Sequence, residues 1–126
     1  MIEILPAPDH VVALRFFGEL TGPDFDRVVA EIETRLGRHP RIGIVADMTG
    51  FDGVTLEALG KDLRYNLSKL GEWKRFPREA VITDKTWLET LVKAVDPLVP
   101  QVEVRIFHPG ETEAALAWAG DFERGD

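Results

Sequence analysis

Asp47, Asp84, Lys85 and His108, with the Thr49 hydroxyl beside them, are the residues of this chain whose types and spacing could do chemistry together. Each ends or follows a short apolar run: 42–48 for Asp47, 80–83 for Asp84 and Lys85, 103–107 for His108. All should therefore stand at the C-terminal ends of strands, the edge where open α/β sheets hold ligands. Two carboxylates, an amine and an imidazole there could move a proton or grip a polar ligand. The same residues also have plain structural work to do. Asp84 can cap the following helix, Asp47 can accept from turn amides, and Lys85 can neutralise one of them. The chain has no cysteine, and its lone serine, Ser68, falls in a helical pattern, so no activated nucleophile is expected. His10, His39 and His108 each lie beside turn residues and no two are spaced i, i+4, so no metal site is expected. Gly50 and Gly53 lack both a P-loop lysine and the spacing of a dinucleotide fingerprint. The residues assign no catalytic group and imply no cofactor.

Such an edge needs strands that empty into helices, and the hydropathy pattern supplies them. Residues 2–5 and 11–17 read as strands joined by a hairpin turn through Pro6, Ala7, Pro8 and Asp9. Thr21, Pro23 and Asp24 form a helix start, followed by Phe25, Val28, Val29, Ile32 and Leu36 on one face and a stop at Gly37 and Pro40. After the strand 42–48, a loop from Thr49 to Gly53 leads to Thr55, which caps a second helix. Its apolar stripe is Leu56, Leu59, Leu63, Leu67 and Leu70, and Gly71 ends it. A strand at 80–83, a helix at 85–95 carrying Trp87, Leu88, Leu91, Val92 and Val95, a strand at 103–107 and an alanine-rich helix at 111–119 complete the chain. This alternation predicts one α/β domain over 1–120: a mixed, mostly parallel five-stranded sheet with an antiparallel edge strand and four main helices. The four-residue link is too short for a parallel crossover, which places the first strand at that edge. Residues 121–126 are expected to be a polar tail.

The composition, 44% hydrophobic and 29% charged over 126 residues, is that of an ordinary globular domain. Apolar runs of at most four or five residues cannot span a bilayer, and the N-terminus lacks the basic and apolar regions of a secretion signal, so a cytoplasmic address is expected. A net charge of −7 argues against nucleic acid as a partner.

The stretches Ala46, Asp47, Met48, Thr49, Gly50, Phe51, then Thr55 to Leu59, then Ala80 through Asp84, Lys85 and Trp87 resemble the SpoIIAA-like family of small bacterial proteins. Residues 103–107 and 113–118 fit as well, so the resemblance covers nearly the whole chain. This family stands beside the STAS domains of anti-sigma-factor antagonists and the lipid-carrying CRAL-TRIO domains. The resemblance implies a non-enzymatic protein that binds either an apolar or amphipathic small molecule or a protein partner. Antagonists of this kind carry a phosphorylated serine after an aspartate where the second helix begins. The similar stretch here is Asp52, Gly53, Val54, Thr55, with glycine at the hydroxyl position.

Three classes of function follow. A binding module would close its second and third helices over a cavity lined by some of Phe51, Leu59, Leu63, Leu67, Trp87 and Leu91, with Asp47, Thr49, Asp84 and Lys85 at its polar edge. A partner-binding regulator would work without the usual phosphoserine, and self-association as a homodimer stays open. An acid–base enzyme would use Asp47 or Asp84. Trp87 and Trp118, on apolar helical faces, are expected in the core. The segment 61–78 holds Lys61, Arg64, Lys69, Lys74, Arg75 and Arg78 against Asp62 and Glu72, a net of +4 in an acidic chain. With Tyr65, Trp73 and Phe76 among them, these cations could rest reversibly on an anionic membrane, or simply form a solvated face.

Overall fold

The computed structural model describes residues 1–98 and 100–123. Five strands form one sheet in sequential order: β1 (Ile2–Ile4), β2 (Val11–Leu20), β3 (Gly43–Val54), β4 (Arg78–Ile82) and β5 (Glu103–Phe107). β1 runs antiparallel to β2 and every other pairing is parallel, as the short first link requires. The helices are α1 (Gly22–Leu36), α2 (Leu56–Ser68), α3 (Thr86–Val95) and α4 (Thr112–Gly120). With strands in sequence order and crossovers of one hand, the three connecting helices share one face of the sheet. Strand alternation then divides the core. Val12, Leu14 and Phe16 look toward α1, against Val28, Ile32 and Leu36. Val11, Ala13, Val45, Ala80 and Ile82 look the other way, against Ala115 and Ala119 of α4.

Local chemistry explains where α1 and α2 start. Thr21 and Asp24 form the reciprocal capping box, each accepting from the other's backbone N–H. The Thr55 hydroxyl accepts from the Ala58 N–H at 3.1 Å. Losing that cap should cost about 1 kcal/mol, so urea unfolding of Thr55→Ala is expected to show that decrease. Asp84, exposed and without a hydrogen bond or ion pair among the described residues, does not cap α3 as expected. The buried Thr83 hydroxyl takes the Lys85 N–H instead. Asp84→Asn should accordingly stay within about 0.5 kcal/mol of the parent.

Two elements depart from the sequence expectation. β3 does not stop at Met48; it runs to Val54, because the ten-residue β2 continues to offer it backbone partners. The register slips twice, between Arg15 and Phe17 and between Gly18 and Glu19, leaving extra residues on β3. Gly18, at φ +56, supplies the left-handed conformation at the second slip. Past the end of α4 the chain still meets the fold. The Phe122 ring stands edge-on to His10 with centroids 5.7 Å apart, and Arg41 donates to the Glu123 carbonyl; residues 124–126 lie outside the described residues.

The larger departure is α2. Its leucine stripe does not meet the sheet: Leu56, Leu59, Leu63 and Leu67 are 87%, 43%, 59% and 65% exposed. The inward face carries Ala58, Asp62, Tyr65 and Lys69 instead. Trp87 of α3, expected in the core, is 54% exposed, and Leu91 beside it is also open; among the described residues of that helix Leu88 is the buried one. The side chains of Leu70 and Val95 lie outside the described residues.

Candidate functional site

The strand-edge constellation assembles only in part: Asp47 and Lys85 meet on the Thr49 backbone, while Asp84 and His108 stand apart from them. Asp47 lies within β3, since that strand continues past it. It is buried, accepts from the Thr49 N–H at 3.0 Å and is bridged at 3.2 Å by Arg15, which also reaches Glu3. Burial pushes its carboxyl up, but the Thr49 and Arg15 interactions outweigh it and hold the group below its ordinary range. Lys85 does not neutralise it; its ammonium donates to the Thr49 carbonyl at 2.7 Å. The imidazole of His108 is exposed beyond β5 and has no bond to Asp47, Asp84 or Lys85 among the described residues. Sequential strand order explains the result, because a sheet without a reversal of order has no switch-point crevice at that edge.

The basic segment is largely built into the fold, which corrects the reading of it as a free surface. Phe76 is buried in the core and Trp73 packs against the same cluster, so neither is a surface anchor. Tyr65 is half-buried with its hydroxyl shut away from solvent. Arg75 is a clamp, donating to the Leu36, His39 and Pro40 carbonyls at the end of α1 and to Glu72. Lys61 pairs with Asp26, Lys69 with Glu33, and Arg78 with Glu103 while it stacks over Trp118. Arg64 and Lys74 are left exposed, too few for the expected electrostatic attraction at about 1 kcal/mol per cation. No helix among the described residues is long and apolar enough to cross a membrane.

A recess lies on the α1–α2–α3 face of the sheet: a cavity of about 620 Å³. Its walls are Phe16, Ile44, Met48, Phe51, Leu88 and Val104, with further apolar residues from α1. The β3 extension matters here, because it places Phe51 between Phe16 and Trp87, with centroids 6.4 and 6.3 Å away. Leu59, Trp87 and Leu91 both line the cavity and meet solvent, which puts its mouth between α2 and α3. Of the residues expected around a cavity, Phe51, Leu59, Trp87 and Leu91 line it; Leu63 and Leu67 point away, and Asp47, Thr49, Asp84 and Lys85 do not contribute.

Among the apolar walls sits a carboxyl group that the apolar run 80–83 leaves out. Glu79 pairs with Ile44 on one side and Val104 on the other, in the middle of the sheet. It shares the inner face because Ala80 and Ile82, its alternates, face α4. Half-buried, with its open surface turned to the cavity, it makes no hydrogen bond or ion pair among the described residues. Burial first, and then the Asp62 charge, push its carboxyl up to about 7. Asp62, opposite on α2, is also raised by burial, an effect opposed by a 3.0 Å hydrogen bond from Asn66. The Tyr65 phenol is pushed up by burial and by the Glu33 carboxylate, and its hydroxyl makes no hydrogen bond of good geometry. The strand period alone, read back two residues from Val81, was the signal for Glu79.

The sequential mixed sheet, with three connecting helices on one face and α4 on the other, belongs to a recognised kind. The model of the SpoIIAA-like family matches residues 11–120, and the chain belongs to that family. An uncharacterized protein of the DUF3478 family with a SpoIIAA-like fold, from Shewanella loihica PV-4, is 27% identical, with a TM-score of 0.73 over 94% of this chain and 92% of its own. The anti-sigma factor antagonist SpoIIAA in its unphosphorylated form is similar at 14% identity and a TM-score of 0.59, over 90% of this chain and 94% of its own. That second likeness is one of fold. No curated protein matches the sequence.

Proposed function

We propose that this protein is a non-catalytic binding module of the SpoIIAA-like kind that docks a protein partner on the leucine face of α2. The outward turn of that stripe carries the reading. Leu56 to Leu67 run along about 16 Å of helix, a ridge suited to lying beside the apolar face of a partner helix. With Trp87 and Leu91 of α3 also open beside Leu59, the face is more apolar than a solvated helix requires. The similarity to a protein described as an anti-sigma factor antagonist supports a protein as the occupant. Binding would not be switched at the usual serine, since Gly53 stands there and the Thr55 hydroxyl is occupied as a cap.

The double variant Leu63→Glu, Leu67→Glu tests this. Both residues are exposed, so melting should shift by only a few degrees. A protein retained by the immobilised parent should be lost by the variant, and the purified pair should reproduce the difference by calorimetry. Unfolding of the variant, or equal retention by both, would reject the assignment.

A second reading rests on a separate observation, the cavity. Its volume falls within the roughly 300–1,000 Å³ of small-molecule sites, and its apolar walls with a few polar groups suit an apolar or amphipathic ligand. Native mass spectrometry of the purified protein should then find a retained small mass that denaturation releases.

A further inference from the structure

The polar groups of the cavity specify a ligand class more narrowly than its apolar walls do. Four titratable side chains line it: Asp62, Tyr65, Lys69 and Glu79. Lys69 is not available as a counter-charge, because Glu33 holds it at 2.8 Å and Glu72 at 3.5 Å. Glu79 and Asp62 therefore present two carboxyl groups of like charge to an apolar space, one from the sheet floor and one from the helix above it. Glu79 has no partner of its own among the described residues, and burying a carboxylate unpaired is costly. A cation brought in by a ligand would satisfy both groups at once, whereas an anionic head would be repelled by them.

We propose that the cavity binds an amphipathic amine, its hydrocarbon lying against Phe16, Phe51, Trp87 and Leu91 and its ammonium held between Glu79 and Asp62. This rests on the small-molecule reading above. The raised Glu79 carboxyl agrees with it: a cation nearby would favour the ionised form, so binding near neutral pH should release a fraction of a proton per site.

Dodecylamine, dodecanol and dodecanoate share one chain and differ in the head, and titration calorimetry of each at pH 7, below micellar concentrations, separates the outcomes. Dodecylamine should bind at least about tenfold more tightly than dodecanol, consistent with a charge-assisted bond, and dodecanoate more weakly than both. Glu79→Gln, which preserves shape, should remove most of the advantage of the amine while leaving dodecanol binding in place. Equal binding of all three ligands, or an unchanged preference in Glu79→Gln, would overturn the amine head and leave the cavity reading standing. A preference for dodecanoate would overturn it in favour of a protonated Glu79 acting as donor. If none of the three binds, the amine proposal and the small-molecule reading fall together.

Discussion

Glu79→Gln should make the unliganded protein more stable at pH 8 by roughly 2–3 kcal/mol and leave it nearly unchanged at pH 4.5. The folded carboxyl is raised from 4.5 to about 7 by burial and by Asp62, so the folded state holds its proton where the unfolded chain has released it. Below pH 4.5 both states are protonated and burial has no titration penalty. As pH rises from 4.5 to about 7 the unfolded state is favoured, and above 7 the penalty is complete. A shift of this size corresponds to about 3 kcal/mol, trimmed because the half-buried group faces an open cavity rather than packed atoms. Glutamine is neutral at both pH values and cannot titrate. The lower pH is a safe reference, because Asp9 and Asp24, lowered to about 2, stay ionised there and keep their pairs with Arg38, His39 and the N-terminus. Urea unfolding of both proteins at both pH values is the measurement. A difference that does not change with pH would mean that Glu79 is solvated like a surface carboxylate.

The same residue shows what could and could not be read from the chain. Where local chemistry decides, the sequence was sufficient: the hairpin turn, the Thr21–Asp24 capping box and the β-α alternation all appear where residue types place them. Where a distant backbone decides, it was not. Thr49 to Gly53 has the composition of a loop, yet β2 supplies a ladder partner and the segment becomes strand. Periodicity puts the α2 leucines on one face but does not say which way that face looks. The sheet beneath α2 carries Glu79, and the side of the helix that meets it carries Asp62, Tyr65 and Lys69. The basic segment misled for a similar reason. Arg75 resembles a loop cation in sequence, while in the fold its guanidinium satisfies the final carbonyl of α1, at Leu36, and the His39 carbonyl of the turn after it.

Gly43→Ala should be the most damaging small substitution in the protein, costing about 3 kcal/mol or more. Its φ is not left-handed, so conformational freedom is not what requires glycine. Space is. A methyl group built there would collide with the Ala119 carbonyl of α4 and press on the Phe122 ring. The strand cannot retreat: Gly43 pairs with Val11 and Arg78 on either side, and its N–H donates to the His10 carbonyl at 2.9 Å. The helix would have to lift instead. α4 lies flush on the sheet through Ala115 and Ala119, both fully buried against Val11, Val45, Ala80 and Ile82, so lifting opens a gap under its whole length. The entropy gained by replacing a glycine, about 0.4–1 kcal/mol, is too small to offset that. Gly60→Ala is the matched control, since nothing stands within 4 Å of its added methyl and alanine suits the interior of α2. It should raise stability by about 0.5–1 kcal/mol. Urea denaturation of the two variants side by side checks both signs, and a Gly43→Ala protein within 0.5 kcal/mol of the parent would show that α4 does not approach β3 this closely.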